Sequence, residues 1–246
     1  MRLASEVATV ELGWARGSAC FEDGWISLEQ SEFYTVSVLD TESVLLAFLR
    51  VGDADTAVAF AERFGLLQNR ADRELLSNWL LEVMTLNLTI ALYAALEDAR
   101  AGDVSTLPAV LAMHRKLSPR IADLEQPGET DVQSADLLMT GWLNTRLRDI
   151  ALLVIPNDVL PPGAPMPFVF GAVPNTLLDV IWLELARSIT AHDRMRYCAL
   201  CGKPFFTKGT RARFCSASCA NRDRQRRFVA RKKAQRVTTT SDVDAG

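Results

Sequence analysis

The sequence predicts a mainly α-helical fold, with a helical N-terminal domain over residues 1–193 and a small cysteine-rich module over residues 194–236. Three observations support this prediction. Apolar residues recur at helical spacing from about residue 39 onward, four of the five cysteines lie near the C-terminus, and basic residues concentrate around and behind those cysteines. Residues 237–246 are mostly polar and are predicted to form a disordered tail.

The N-terminal domain is predicted to start with a small mixed segment. Val7–Leu12 and Phe33–Val38 partly alternate between apolar and polar residues, as short strands do. We expect these two stretches to form a small hairpin-like cap. A further short strand is predicted at Phe168–Phe170, after a proline-rich loop over residues 156–167.

Six helices are predicted in the N-terminal domain from their apolar periodicity, their capping residues and the glycines that end them. The third helix is apolar nearly all round, so we expect it to be buried at the centre of the domain. The predicted helices are Thr41 to about Arg50, Ala57–Phe64, about Asp72 to Arg100, Leu107–Leu117, Ser134 to about Leu153, and Thr176–Thr190 with Asn175 as its cap.

The charge of the chain is strongly segregated. The net charge is −3, but residues 1–193 carry −14, residues 194–236 carry +13, and the remaining residues carry −2. The chain is therefore an acidic body joined to a basic end, and the basic end is suited to an acidic partner.

The remaining composition indicates a reducing compartment. Met1–Glu6 has no apolar run, and the longest apolar stretch, Leu86–Leu96, is about half a membrane span. We therefore expect a cytoplasmic protein without a membrane partner. In that compartment metal ligation is favoured over disulfides, and the isolated Cys20 is expected to be a buried or inert thiol.

The four C-terminal cysteines have the spacing of a zinc site. Cys198 and Cys201 form one pair, thirteen residues separate them from the second pair, and Cys215 and Cys219 form that pair. Short inner spacings with a longer gap let two pairs occupy the corners of a tetrahedron around Zn²⁺. With four thiolate ligands the ion has no open position for water, so the predicted zinc is structural.

A basic helix is predicted over residues 216–236, where no glycine or proline interrupts the chain. Its arginines repel one another unless phosphates or carboxylates lie opposite, so we expect it to contact nucleic acid. An alternative is docking onto the acidic body or onto an acidic partner protein, and a plain solvated surface is a third possibility. The candidate nucleic-acid-binding residues are Arg211, Arg213, Asn221, Arg222, Arg224, Arg226, Arg227, Arg231, Lys232 and Lys233.

These motifs resemble the CGNR-type zinc finger. The resemblance covers about 40 residues, through Cys198-x2-Cys201-Gly202-Lys-Pro-Phe205 and Arg213-Phe214-Cys215-Ser216-x2-Cys219-x-Asn221-Arg222, with Ala220 where the family has glycine. That finger closes several bacterial proteins regarded as transcription regulators, whose upstream helical domain is called ABATE. Residues Phe60–Leu66 resemble a piece of that domain. The resemblance implies a DNA-binding regulator.

The function expected from the sequence is DNA-binding transcriptional regulation, with the module folded like a treble clef: a knuckle, a β-hairpin over Phe205–Phe214, and a helix carrying the last two ligands. The second hypothesis is a protein-interaction adaptor. An enzyme is not expected, because His114 and His192 lie in no catalytic pattern and no phosphate-binding loop is present. The helical domain is a candidate for homodimerisation. The sequence names no small-molecule ligand, no target site and no choice between DNA and RNA.

Overall fold

A computed structural model describes the chain at residues 8–9, 12–36, 43–68, 72–117, 130–156, 168–209 and 212–241. Side-chain burial is described at residues 14–29, 43–68, 72–116, 130–151, 172–209 and 212–232. The chain divides into two compact units, Met1–Thr190 and Ala191–Gly246. We call the first the body and the second the finger unit. Their boundary lies three residues before the predicted boundary at residue 193.

Helices make up more than half of the described residues, which confirms the mainly α class. The body contains α1 (Val44–Phe48), α2 (Ala54–Phe64), α3 (Leu76–Arg100), α4 (Leu107–Leu117), α5 (Asp131–Leu147) and α6 (Leu177–Thr190), and the finger unit contains α7 (Ala217–Ser241). Helix α4 has the predicted bounds.

Two helices start earlier than predicted because a better cap lies upstream. Asp53 caps α2 in a reciprocal box with Thr56, and Thr130 caps α5 in a second box with Gln133. In each box the side chain of the cap residue accepts a hydrogen bond from the backbone N–H of the residue three positions later. The side chain of that later residue accepts a hydrogen bond from the backbone N–H of the cap residue.

The N-terminal segment forms a long hairpin, so the predicted small cap was wrong in extent. Strands β2 (Leu12–Glu22) and β3 (Trp25–Val36) pair antiparallel, and β4 (Arg73–Leu75) adds to the other edge of β3. Asp23 and Gly24 form the turn with φ values of 51° and 87°. Positive φ at both positions gives a two-residue turn whose twist matches that of paired strands.

A second sheet includes residues predicted to be helical. Strand β5 (Ala151–Pro156) pairs antiparallel with β6 (Phe168–Val173), and β1 (Ala8–Thr9) pairs parallel with β6. Helix α5 ends at Leu147, so the prediction of helix to Leu153 was wrong. The Leu-Leu-Val-Ile run before Pro156 is a better strand than helix, because β-branched residues favour extended backbone and proline ends a helix. The predicted strand at Phe168–Phe170 is confirmed. Residues 157–167 of the predicted proline-rich loop lie outside the described part.

The core of the body is built around α3. At one end Phe48, Phe60 and Trp79 pack edge to face, with ring centroids 5.2–5.9 Å apart. Toward the other end Leu92 and Leu96 join buried residues of α4 and α5. This confirms the prediction that the third helix is central and buried.

Helix α3 is also long and apolar enough to cross a membrane by length and composition alone. However, 61% of its most apolar stretch is buried inside the body. The core helix of a folded domain has the same features, so they are weak evidence for a membrane span. The absence of a membrane partner stays a prediction.

A carboxylate joins α6 to the start of α1. Glu184 accepts hydrogen bonds from the Ser43 hydroxyl at 2.7 Å and from the backbone N–H groups of Leu45 at 3.0 Å and Val44 at 3.3 Å. Burial raises the pKa of Glu184, although these donors and the charge of Arg187 act in the opposite direction.

The raised pKa predicts how the stability of the body depends on pH. Stability contributed by such a group is fully present below its unfolded pKa and is lost as the pH rises through the folded pKa. We therefore expect the free energy of unfolding of the native chain, measured relative to Glu184→Gln, to fall as the pH rises above about 4.5. Urea unfolding followed by tryptophan fluorescence measures this in the body, which contains all five tryptophans. If the native chain became more stable relative to Glu184→Gln as the pH rises, the raised pKa of Glu184 would be contradicted.

Gly65 ends α2 where the chain passes against the hairpin. Its φ is +91°, and a methyl group built at this position would lie 2.2 Å from the carbonyl oxygen of Ala15 on β2. A side chain there is excluded both by the backbone conformation and by the close approach of the strand.

We expect Gly65→Ala to lower the free energy of unfolding by about 2 kcal/mol or more, since strain and overlap add. The matched control is Gly141→Ala within α5, where a methyl group meets no atom within 4 Å. That control should raise stability by about 0.5–1 kcal/mol. If urea unfolding showed the same change in stability for Gly65→Ala and Gly141→Ala, the close approach of Ala15 to Gly65 would be unimportant for stability.

Candidate metal centre and basic helix

The first cysteine pair lies in the turn of a short hairpin. Strand β7 (Arg194–Tyr197) pairs antiparallel with β8 (Pro204–Thr207). In the turn, Cys198 N–H donates to the Lys203 carbonyl and Gly202 N–H donates to the Cys198 carbonyl, both at 2.9 Å, with Gly202 at φ +69°. This knuckle, residues 198–203, holds the Cys198 and Cys201 side chains on one side of a tight turn.

The predicted hairpin over Phe205–Phe214 was therefore misplaced. The hairpin has the knuckle at its tip and begins at Arg194 instead of following the knuckle. Residues 208–209 and 212–214 are not in a strand. The pairing of β7 was missed because the alternation in Arg-Met-Arg-Tyr extends over only four residues, and the partner strand lies beyond the first cysteine pair.

The second cysteine pair lies at the start of α7. Cys215 precedes the helix, and Cys219 lies in its first turn. Ser216 caps the helix: its hydroxyl accepts from Cys219 N–H at 3.2 Å, and its carbonyl accepts from Ala220 N–H at 3.1 Å. Ala199 N–H also donates to the Arg213 carbonyl at 2.9 Å, which ties the knuckle to the segment leading into α7.

The four sulfur atoms form one cluster. All four Sγ atoms lie within 4.8 Å of one another, and the Cys201–Cys215, Cys215–Cys219 and Cys219–Cys201 distances are 3.7, 3.6 and 3.8 Å. A tetrahedron with zinc–sulfur bonds of about 2.3 Å has edges of about 3.8 Å. The cluster therefore fits a single four-coordinate metal ion.

The thiols of this cluster influence one another's ionisation. Burial raises the pKa of Cys198, but backbone N–H groups of Cys201, Cys215 and Leu200 donate to its sulfur and lower the pKa to about 6. Desolvation and the three neighbouring thiols raise the pKa of Cys215 to about 12. Four thiolates this close require a cation between them, which is what a metal ion supplies.

The finger unit has little apolar core. Among its residues with described burial, Cys198, Pro204 and Phe205 are the ones that are buried. So small a core cannot hold a unit of this length by hydrophobic burial alone. Metal ligation by the clustered cysteines would compensate for this small core.

The predicted nucleic-acid residues lie mostly on α7. Asn221, Arg222, Arg224, Arg226, Arg227, Arg231 and Lys232 are exposed. Asp223 forms an ion pair with Arg227, which is thus partly neutralised. Arg213 is exposed before the helix, Lys233 is described by its backbone alone, and Arg211 lies outside the described residues.

Helix α7 runs through Ser241, so the prediction of a disordered tail from residue 237 was wrong for residues 237–241. The run of threonines there has a low helix propensity, which is why the sequence predicted an earlier end. Residues 242–246 of that predicted tail lie outside the described residues.

A groove of about 640 Å³ runs between the knuckle and α7. Its apolar lining includes Leu200, Val229 and Ala230, and its basic lining is Arg222 and Arg226. The groove identifies the side of α7 that faces the metal cluster.

Helix α7 carries two exposed apolar residues that were not identified as candidates from the sequence. Phe228 is 56% exposed and Val229 is 63% exposed. The Nζ atom of Lys232 lies 5.4 Å from the centroid of the Phe228 ring. The Phe-Val pair could have been noticed in the sequence, because apolar residues inside a run of basic residues do not contribute to solubility.

The histidines and the fifth cysteine lie apart from the cluster. His114 is buried on α4 beside Trp142, and burial lowers its pKa despite the Leu88 carbonyl. His192 is exposed, and Cys20 Sγ lies 3.0 Å from the Ser27 hydroxyl. None of these three residues belongs to the cysteine cluster.

The body contains a cleft of about 580 Å³ that includes Arg146, Asp149, Asn175 and Trp182. The Arg146 guanidinium forms an ion pair of 2.8 Å with Glu82 and lies 5.1 Å from the centroid of the Trp182 ring. The size of this cleft suits a small molecule, so it is one place in the body where a ligand would fit.

Comparison with protein-family models, curated proteins and solved structures finds no match to this chain.

We expect the purified chain to retain one metal ion per molecule, measured by elemental analysis. Cys215→Ser should lose the metal and unfold the finger unit, because ligation in such modules contributes on the order of 10–16 kcal/mol. Cys20→Ser is the matched control and should leave the metal content unchanged. Metal-free protein from a preparation without chelators would contradict the assignment.

Proposed function

We propose that the finger unit binds a structural zinc ion and duplex DNA, and that the protein regulates transcription. The observation that carries this proposal is that α7 begins at the cysteine cluster and carries seven exposed polar or basic candidate residues between Asn221 and Lys232. A fixed helix start with a basic surface beyond it is typical of nucleic-acid-binding modules.

Zinc is the metal we propose because its coordination chemistry matches the ligands. Four thiolates in a tetrahedron are a closed zinc site, and such sites stabilise folding instead of activating water. A knuckle that supplies two ligands and a helix that supplies the others are also the parts of a treble clef. The resemblance to the CGNR-type finger supports the same assignment.

Duplex DNA is the proposed partner because of charge and shape. The finger unit carries +13 over residues 194–236, and the helix is about 37 Å long. The major groove of B-form DNA is about 12 Å wide and admits a helix, whereas that of A-form RNA is too narrow for side chains to read.

An adaptor that binds an acidic protein surface is the second candidate. The observation that favours it is the groove beside the knuckle, where Leu200 and Val229 lie next to Arg222 and Arg226. An acidic partner with one apolar side chain would complement this lining, and the body itself carries −14 over residues 1–193. Homodimerisation through the body and a cytoplasmic location remain proposals from the sequence.

Binding of the full chain to duplex DNA at several salt concentrations tests the proposed function. If about five phosphates are contacted, log K should fall with log salt at a slope of about −4 to −5. Arg231→Ala should weaken binding to all duplexes and flatten the slope by about 0.9, while Arg227→Ala should do less because Asp223 already pairs with it.

The matched control is Arg148→Ala, which removes a highly exposed arginine from the body and should leave the slope unchanged. If the full chain fails to bind any duplex at low salt, the DNA-binding proposal is wrong. Capture of acidic protein in that case would support the adaptor.

A further inference from the structure

The side of α7 that faces away from the metal cluster carries a distinct set of residues. Cys219, Arg222, Arg226 and Val229 line the groove beside the knuckle. At 3.6 residues per turn, the centre of a second set lies about 150° away round the helix, and the set falls within an arc of about 100°. This set, which we call the outer face, consists of Asn221, Arg224, Phe228, Arg231 and Lys232, all exposed.

Phe228 lies at the centre of the outer face. Its exposed fraction is 56%, so more than half of a large apolar ring meets water. The core of the finger unit does not use this ring, because the buried residues there lie at the knuckle and β8. The flanking cations, Arg224 and Lys232, are one helical turn away on either side.

Charge complementarity decides what covers this face. Its remaining members are an amide and three cations, and the sole acid between residues 194 and 236, Asp223, is engaged with Arg227. A polyanion with an apolar group inside it satisfies both parts of the face. In the major groove that apolar group is the C5-methyl of thymine.

We propose that the outer face of α7 enters the major groove and that Phe228 contacts a thymine methyl group. This inference rests on the proposed function and deepens it. Asn221 and Arg224 read base edges, for which adenine and guanine are their best partners. Arg231 and Lys232 bind phosphates on the two sides of the groove.

The helix geometry gives the spacing of the contacted bases. Phe228 lies about 6 Å along the helix axis from Arg224 and about 10 Å from Asn221. Base pairs are about 3.4 Å apart, so the thymine should lie about two to three base pairs from the purines.

The test uses the full chain and duplexes selected by it from a random pool. Each thymine is then replaced in turn by deoxyuridine, which removes the methyl group and nothing else. At the Phe228 position the native chain should bind about fourfold more weakly, the effect of losing one buried methyl group. Phe228→Ala should bind both duplexes equally.

Val229→Ala is the matched control, because Val229 is equally exposed but lies on the groove side. It should keep the fourfold ratio. Metal content and helical circular dichroism of both variants verify that the finger unit remains folded.

The other outcomes separate this inference from the proposed function. Salt-dependent duplex binding with no effect of any deoxyuridine, or the same effect in Phe228→Ala, overturns the thymine contact and leaves DNA binding standing. If the native chain binds single strands more strongly than duplexes and Phe228→Ala loses this preference, the thymine contact is overturned and Phe228 stacks on bases instead. Absence of all nucleic-acid binding overturns both.

Discussion

The cluster of four cysteine sulfur atoms is the interaction on which the finger unit depends. The body has a core of its own around α3, whose buried residues extend from Trp79 to Leu96. The finger unit has no comparable core, since Cys198, Pro204 and Phe205 are its buried residues where burial is described. A metal ion that joins Cys198 and Cys201 to Cys215 and Cys219 would connect the knuckle to the start of α7, which the hydrogen bond from Ala199 to Arg213 also links.

The same cluster determines where α7 begins. Cys215 and Cys219 flank the Ser216 cap, so ligation and capping act on the same helical turn. With a metal ion bound, the negative charge of these sulfurs would lie at the positive end of the helix dipole, where such charge is favourable. The basic residues beyond this turn gain a defined orientation relative to the knuckle, and this is the property that a DNA-reading helix requires.

The cysteine cluster and several helices could be predicted from the sequence because their signals are local. The cysteine spacing identified all four clustered thiols, and α4 has the predicted bounds. Strands were harder, because each depends on a distant partner. Strand β5 ends at Pro156 and pairs with β6 across residues 157–167, and its apolar run was assigned to a helix.

Some of the missed features had signals in the sequence. The Asp23–Gly24 pair is typical of a two-residue hairpin turn, and it connects β2 and β3. The close approach of Ala15 to Gly65 had no such signal, because it arises only when the hairpin packs on α2. Phe228 can be identified in the sequence within the basic run. Whether it lies on the side of α7 beside the knuckle or on the opposite side can be determined only from the structure.

The most direct test of the central claim is to follow metal occupancy and DNA affinity in the same samples of the full chain. Zinc is removed stepwise with a chelator and then restored, while fluorescence anisotropy reports binding to a labelled duplex at constant salt. The account predicts that affinity falls together with zinc occupancy and returns when zinc is added back. Metal-free protein that binds the duplex with undiminished affinity would contradict it.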